Sequence, residues 1–156
     1  NGLSVEEFLN ALSKYFLIEQ AEGEGDAKPK KVNEFGLYLH HTWYRLTLRI
    51  EIADKLPLND PVKVLDVSIL QDYILSPILE IHDQRTDKRI DFVGGIKGLS
   101  GLKERVNKGK WTAGVALYPT SIDSLIAVAD AGQVMPPKST WFEPKLKSGL
   151  VSHLLE

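Results

Sequence analysis

The sequence predicts a single compact domain of the α+β class (mixed α/β), with a sheet that contains a β-hairpin, βαβ-type elements and about four helices. Apolar residues alternate over residues 35–50 and change parity once, and strand and helix patterns alternate over residues 89–132. The chain has 156 residues, of which 43% are hydrophobic and 26% charged, enough for one core. Because there is no internal repeat or second boundary, we expect the domain to span residues 1–156.

The first predicted element is a helix that begins after Ser4. Ser4 and Glu7 have the spacing of a capping box, in which each side chain bonds the backbone amide of the other residue. Leu3 and Phe8 have the spacing of a hydrophobic staple. The apolar stripe of this helix consists of Val5, Phe8, Leu9, Leu12 and Phe16. Residues 16–19 form a short predicted strand.

A mobile loop is predicted over residues 21–33. Val32 is the one large apolar side chain in this stretch, and the charge changes from acidic to basic halfway along it. Such a segment has little apolar surface to bury, so its sequence favours mobility.

A β-hairpin is predicted next, because the apolar residues lie at odd positions before the loop and at even positions after it. With residues 41 and 42 as the loop, Leu39 faces Tyr44 and every apolar residue lies on one face. Two-residue loops prefer Asn-Gly or Asp-Gly, so a wider loop over residues 40–43 is an equal alternative.

A longer helix is predicted from Asp66, whose carboxylate would cap it. Ser76 and Pro77 interrupt the pattern and should kink or restart the helix. Its apolar stripe consists of Val67, Leu70, Ile74, Ile78 and Ile81.

Strand and helix alternate after this point. Residues 89–93 and 112–118 are predicted strands, and a short helix between them starts at Ser100 and stops at Gly109. This order favours parallel strands joined by a right-handed crossover.

The last predicted helix is capped by Thr120 and stopped by Gly132. Its apolar stripe consists of Ile122, Leu125, Ile126 and Ala129. Residues 149–154 form a final strand or a tail.

The composition argues against several classes of function. The net charge of -2 and the isoelectric point near 6.1 provide no basic face for nucleic acid. The chain has no cysteine, which excludes disulfides and Cys-based metal sites. No apolar run approaches the ~20 residues of a membrane-spanning helix, so no membrane contact is predicted. Together these observations favour a cytoplasmic protein.

Two loops at predicted strand ends are candidate anion sites. Gly94, Gly95 and Lys97 follow the first strand of the pair, and Thr120 follows the second. In parallel α/β units, ligands bind beyond the carboxyl ends of strands, where helix N-termini expose amides to an anion. A glycine turn and an ordinary cap explain the same residues, and neither a Walker loop nor a dinucleotide fingerprint is present.

The proline segment, residues 135–145, is the other candidate. Its three prolines make it stiff and extended. The donors of this segment, which suit a phosphate or a carboxylate, are Lys138, Ser139, Thr140 and Lys145. About six extended residues after Gly132 span up to ~20 Å. This length is enough for the chain to return to the two loops at the predicted strand ends. Alternatively, Trp141 and Phe142 anchor the segment in the core and its lysines lie in solvent.

The remaining polar residues predict neither a metal site nor a catalytic one. His40 and His41 are adjacent, so on a strand they point to opposite faces and do not readily share an ion. Alternating charges from His82 to Asp91 are typical of a solvated surface. Since no pair of nucleophile and base can be assembled, the sequence assigns no cofactor and leaves enzymatic activity open.

Three stretches carry a family resemblance: GLYLHHTWYRLTL, ILSPILEIHDQRTDKRIDFVGG and AGVALYPTSIDSLIAVADAGQVMPPKSTWFEPKLKSGLV. Together they resemble the carboxy-terminal domain of the uncharacterised bacterial family DUF-1015, and ADAG-x-x-MPPKST-x-F-x-PK is the most specific run. The resemblance implies a hairpin tip of the Asp-Gly type in family members, where this chain has His41 and Thr42. This difference argues further against a histidine metal site.

The resemblance implies that the chain is the carboxy-terminal fragment of a longer protein. The amino-terminal part of the family carries a Gly-His-His-Arg motif reminiscent of the ParB/sulfiredoxin-like fold, which includes nucleotide-dependent phosphotransferases. By that analogy the proline segment contacts an anionic small molecule, and the site is completed by the protein's own amino-terminal domain. The alternative is a non-catalytic module for interdomain contact or homo-oligomerisation.

Overall fold

The computed structural model describes residues 2–137 and residue 139, and it confirms the α+β class. Within these residues the helices are α1 (Val5–Ser13), α2 (Glu24–Ala27), α3 (Ile50–Ala53), α4 (Asp66–Leu70), α5 (Gly98–Asn107) and α6 (Ile122–Asp130). The strands are β1 (Phe16–Ala21), β2 (Glu34–Leu39), β3 (Thr42–Leu48) and β4 (Ala113–Leu117). A π-helical turn (Gln71–Leu75) continues α4, and a 3₁₀ turn (Gly95–Lys97) precedes α5.

These four strands form one sheet in the order β1-β3-β2-β4, and β4 pairs with β2 in the antiparallel direction. The predicted βαβ crossover is therefore wrong. Residues 89–93 do not form a strand, because aspartate side chains bond the backbone there. Asp87 accepts from the amide of Arg89 at 2.8 Å, and Asp91 accepts from the amide of Phe92 at 2.9 Å.

The hairpin is present, with a register that differs from the predicted one by two residues. Leu39 lies opposite Thr42, so His40 and His41 form the loop. Both histidines have positive φ, 48° and 65°. A tight two-residue turn requires such values, which a residue with a Cβ adopts at a cost. Because the shift is by an even number of residues, the apolar side chains keep their predicted face.

Exchanging both loop histidines for residues that favour positive φ is expected to stabilise the hairpin. We expect His40→Asn combined with His41→Gly to raise the free energy of unfolding by roughly 1 kcal/mol. Thermal unfolding followed by circular dichroism measures this change as a rise in Tm of about 2–4 °C. The control is His41→Ala, which keeps a Cβ at positive φ, and an equal rise for this control would contradict the explanation.

Strand β2 is buried on both faces and forms the centre of the fold. The residues of β2 that face the main core are Phe35, Leu37 and Leu39. A second, smaller cluster on the other face consists of Ala27, Tyr38, Trp43 and Val106. Helices therefore cover both faces of the sheet at this strand.

The predicted start of the first helix is confirmed. Ser4 Oγ accepts a hydrogen bond from the amide of Glu7 at 3.2 Å, and Glu7 Oε2 accepts one from the amide of Ser4 at 2.8 Å. Within the stretch predicted as a loop, the structure has helix α2, whose Ala27 is fully buried. The mobility of residues 21–33 stays a prediction.

The helix predicted from residue 66 is present as α4 and the π-helical turn, which ends at Leu75, before the predicted interruption at Ser76 and Pro77. All residues of its predicted apolar stripe are buried, although Ile78 and Ile81 lie beyond the helix. Asp66 does not cap it, because Leu65 occupies the cap position and Asp66 is the first helical residue. The carboxylate instead accepts a hydrogen bond from the amide of Asn33 at 2.8 Å. Asn33 has a φ of 68°, in the left-handed region. Asp66 therefore ties α4 to the residue that precedes β2.

Helix α6 buries a different face from the predicted one. Val128 is 1% exposed and packs with Leu65 and Val67 at the start of α4. Ile122 and Ile126 of the predicted stripe are exposed. The orientation of α6 follows from its contact with α4, which the pattern within α6 does not encode.

Candidate functional site

Two of the predicted binding residues lie together. Thr120 Oγ1 donates a hydrogen bond to the carbonyl oxygen of Ser139 at 3.3 Å. Ser139 Oγ donates to the carbonyl oxygen of Pro136 at 2.6 Å, which closes a turn. The chain after α6 therefore returns to the start of the same helix, within the predicted reach. The cap of α6 is Ser121 and not Thr120, since Ser121 Oγ accepts from the amide of Ser124 at 3.0 Å.

The residues that directly follow α6 also contact the rest of the domain. The amide of Gln133 donates to the carbonyl oxygen of Val128 at 3.0 Å. Met135 packs on the apolar cluster that contains Leu65, Val67 and Val128. Residues 133, 135 and 139 therefore each contact the rest of the domain.

Pro136 and Pro137 form one wall of a groove of about 450 Å³. The other walls come from the residues before and within α4, from the π-helical turn and from residues 82–85. Among its polar side chains are Lys63, Gln71, Asp72, Asp83, Gln84 and Arg85. Stretches that are distant in sequence therefore meet at this groove.

The cations of the groove are paired with carboxylates. Lys63 Nζ lies 3.2 Å from Asp72 Oδ2. Arg85 donates through Nε and Nη2 to the two oxygens of Asp83, at 3.0 and 3.1 Å, and these hydrogen bonds hold the pKa of Asp83 below its usual range. The side chains of Lys63 and Arg85 are 51% and 69% exposed, so water weakens both ion pairs. Both cations can therefore exchange a carboxylate for a ligand anion at small cost.

Hydrogen bonds between side chains and backbone hold the shape of the groove. Gln71 Nε2 donates to the carbonyl oxygen of Ile81 at 2.8 Å, and Gln84 Nε2 donates to Gln71 Oε1 at 2.7 Å. His82 Nδ1 lies 3.0 Å from Ser76 Oγ. These bonds fasten one wall to the π-helical turn, a type of turn frequently found at functional sites.

A larger depression of about 740 Å³ lies along α1. Its described lining is one face of that helix, and the charges on it are Glu6 and Glu7. Two carboxylates on an open helix face repel an anion, so this depression does not suit the predicted ligand.

The other predicted anion loop does not join the groove. Gly94 precedes the 3₁₀ turn, and Gly95 and Lys97 are exposed within it. These three residues are described, and none of them lines the groove. The predicted binding residues that lie outside the described part of the chain are Lys138, Thr140 and Lys145. Their part in the site stays a prediction.

Sequence reasoning did not identify the groove. It interpreted the charges from His82 to Arg85 as solvated surface and assigned no role to Lys63 or Gln84. The one local signal is Ile81, which is 4% exposed and fixes the charged stretch against the core. The proximity of that stretch to the prolines depends on the path of the chain after α6.

Residues 2–137 and 139 contain no group of three or more histidine, aspartate or glutamate side chains that could hold a metal ion. Among the same residues, no helix combines the length and the apolar character needed to cross a membrane.

Comparison with protein families adds one finding. Residues 1–68 match a family described as "Protein of unknown function (DUF1015)". The match supports a relation of this chain to the DUF1015 family. Its residues include α1, the hairpin and Asp66, whereas the π-helical turn and the proline segment lie beyond the stretch that matches DUF1015. No curated protein and no solved structure matches the chain.

Proposed function

We propose that this chain is the carboxy-terminal domain of a bacterial, cytoplasmic DUF1015 protein, and that it contacts an anionic small molecule in the groove. The observation that carries the proposal is the position of Pro136, Pro137 and Ser139, which belong to the described part of the proline segment. Pro136 and Pro137 line the groove, and Ser139 is held by Thr120. Lys138 lies between these two anchors in the sequence. By its place in the sequence, Lys138 is our candidate for a further cation of this site.

The chemistry of the groove supports a phosphorylated or carboxylated ligand. The guanidinium of Arg85 has a planar set of donors that matches two oxygens of a phosphate or a carboxylate. Lys63 offers a second positive charge, and Gln84 offers an amide. Asp72 and Asp83 balance the charge of the groove in the absence of a ligand. Lys138 would shift that balance towards anions.

The domain would act as one wall of a shared site in a phosphotransferase-like protein. Ser76 Oγ lies 3.0 Å from His82 Nδ1, but Ser76 does not line the groove. The described hydroxyl that does, Ser68 Oγ, donates to the carbonyl oxygen of Val62 at 2.6 Å and bonds no base. The catalytic groups would therefore come from an amino-terminal part of the protein, and this domain would position the anion.

Calorimetric titration of the 156-residue chain with inorganic pyrophosphate and with ATP tests the proposal. We expect saturable binding of at least one of these ligands. Lys63→Gln and Arg85→Gln should each weaken it about tenfold, because each removes a charge-assisted hydrogen bond. Lys88→Gln is the matched control, since Lys88 is exposed and lies three residues after Arg85 in the sequence but does not line the groove.

Three results would count against the proposal. The first is no heat of binding for either ligand. The second is unchanged affinity in both groove variants. The third is an equal loss in Lys88→Gln, which would indicate a general effect of positive charge and not a site.

A further inference from the structure

The two carboxylates of the groove differ in how they are bonded. Asp83 accepts from the backbone amide of Arg85 at 2.9 Å as well as from its guanidinium. For the side chain of Asp72, within residues 2–137 and 139, the one hydrogen-bond partner is Lys63, whose Nζ donates to Oδ2 at 3.2 Å. Asp72 lines the groove and its side chain is 44% exposed. The second oxygen of Asp72, Oδ1, is therefore open to a donor from a ligand.

An anion bound at Lys63 affects Asp72 directly. When the ammonium of Lys63 turns from Asp72 to a ligand phosphate, the carboxylate loses its counter-charge and lies beside the incoming negative charge. Like charges at so short a separation repel each other. A ligand that carries an ammonium group next to its phosphate avoids this cost, because its ammonium takes the place of Lys63 at Asp72. The exchange of partners thus favours a ligand with charges of both signs.

The composition of the groove agrees with such a ligand. Apart from His82, the described lining carries two positive and two negative side chains. A ligand with negative charges alone would meet as many like charges as opposite ones. Gln84 adds an acceptor, since its Nε2 is bonded to Gln71 while no described residue donates to its Oε1. This amide oxygen can accept a hydrogen bond from an ammonium group.

We propose that the ligand of the groove is a short aminated phosphate, whose ammonium group binds Asp72 and whose phosphate binds Lys63 and Arg85. This assignment rests on the proposed function, because it names the class of anion that the groove takes. Lys63 Nζ and Asp72 Oδ2 are 3.2 Å apart, so the two charged groups of the ligand must also lie close together. A short linker, as in aminoethyl phosphate, meets this condition.

Calorimetric titration of the 156-residue chain with aminoethyl phosphate and with hydroxyethyl phosphate, at one ionic strength, tests the proposal. The two compounds differ only where a hydroxyl replaces the ammonium. We expect the aminated compound to bind about tenfold more tightly, because it forms an additional charge-assisted hydrogen bond. General attraction to the cations of the groove would produce the opposite order, since the hydroxyl compound has the larger negative charge.

Asp72→Asn should abolish the preference for the aminated compound. The affinity for hydroxyethyl phosphate should stay the same or rise in this variant, because Lys63 is released from its ion pair. A variant with a damaged groove would instead lose affinity for both compounds. Asp54→Asn is the matched control, since Asp54 is exposed but does not line the groove, and it should keep the tenfold preference.

The possible failures are distinguishable. Equal affinity for the two compounds in the unaltered chain would overturn the aminated ligand, and the proposed anion site would stand if hydroxyethyl phosphate or pyrophosphate still bound. A preference that persists in Asp72→Asn, or that is lost equally in Asp54→Asn, would overturn the role of Asp72. If neither compound bound, and pyrophosphate and ATP did not bind either, the proposed function would fail and this assignment with it.

Discussion

Replacing Asp66 by asparagine is expected to raise the free energy of unfolding at pH 8 by roughly 2–3 kcal/mol, since one pKa unit corresponds to 1.36 kcal/mol. Asp66 is 9% exposed, and burial raises its pKa to about 6, although the hydrogen bond from the amide of Asn33 opposes this rise. At pH 8 the folded chain therefore holds a desolvated carboxylate. Asparagine keeps the oxygen that accepts from Asn33 and removes the charge.

The effect of this substitution depends on pH in a defined direction. The carboxyl of Asp66 has a pKa of 3.8 as its ordinary value and about 6 in the folded chain, so the folded chain binds the proton more tightly. The stability that protonation contributes is present below about pH 4 and is lost as the pH rises through 6. We therefore expect the difference between Asp66→Asn and the unaltered chain to be small at pH 4 and full at pH 8.

Urea denaturation at both pH values measures this difference. Asp123→Asn is the matched control, because Asp123 also lies in the first turn of a helix but is exposed. It should change stability by only a few tenths of a kcal/mol at either pH. If Asp66→Asn were instead less stable than the unaltered chain at pH 8, the ionised carboxylate would be a net stabilising group.

The parts of the fold that the sequence predicted depend on residues only a few positions apart. The capping box of Ser4 and Glu7 is a local exchange of hydrogen bonds, and its spacing is visible in the sequence. The alternation of apolar residues in β2 and β3 likewise reflects the side-chain period of a strand. Gly109 and Gly132 end their helices with positive φ, 81° and 65°, as glycine at a helix end predicts.

The parts that the sequence did not predict depend on partners far away in the chain. The order of strands and helices did not fix the direction in which β4 pairs, and β4 lies against β2 and not against a neighbour in sequence. The hairpin register depends on positive φ at His40 and His41, a conformation that is uncommon for residues other than glycine. The orientation of α6 depends on contact with Leu65 and Val67.

The candidate site shows the same division. The prolines and the polar donors of the proline segment are visible in its own residues. Pro136 and Pro137 line the groove, whereas the part of Lys138, Thr140 and Lys145 in the site stays a prediction. The opposite wall, with Lys63 and Arg85, contains no motif. It exists because α4 and the residues after it lie beside the returning chain, and the sequence did not predict that contact.

Gly36→Ala is expected to lower the free energy of unfolding by roughly 2–3 kcal/mol, because it forces a methyl group into a filled space. A Cβ at residue 36 would stand 2.6 Å from the carbonyl oxygen of Ala27. The obstacle is backbone, so no side-chain rotation relieves it. Either β2 bends or α2 moves away from the sheet, and the second response withdraws Ala27 from the cluster that it shares with Tyr38 and Trp43.

The matched control lies in the helix that Gly36 contacts. A Cβ at Gly25, within α2, meets nothing within 4 Å, so Gly25→Ala is expected to be neutral or to stabilise the chain by up to about 1 kcal/mol. Urea denaturation of both variants decides between two explanations of the close approach. A loss in Gly36→Ala alone means that α2 is held against the sheet by tight packing. No loss in either variant means that α2 moves away freely, and residues 21–33 would then have the mobility that their composition predicts.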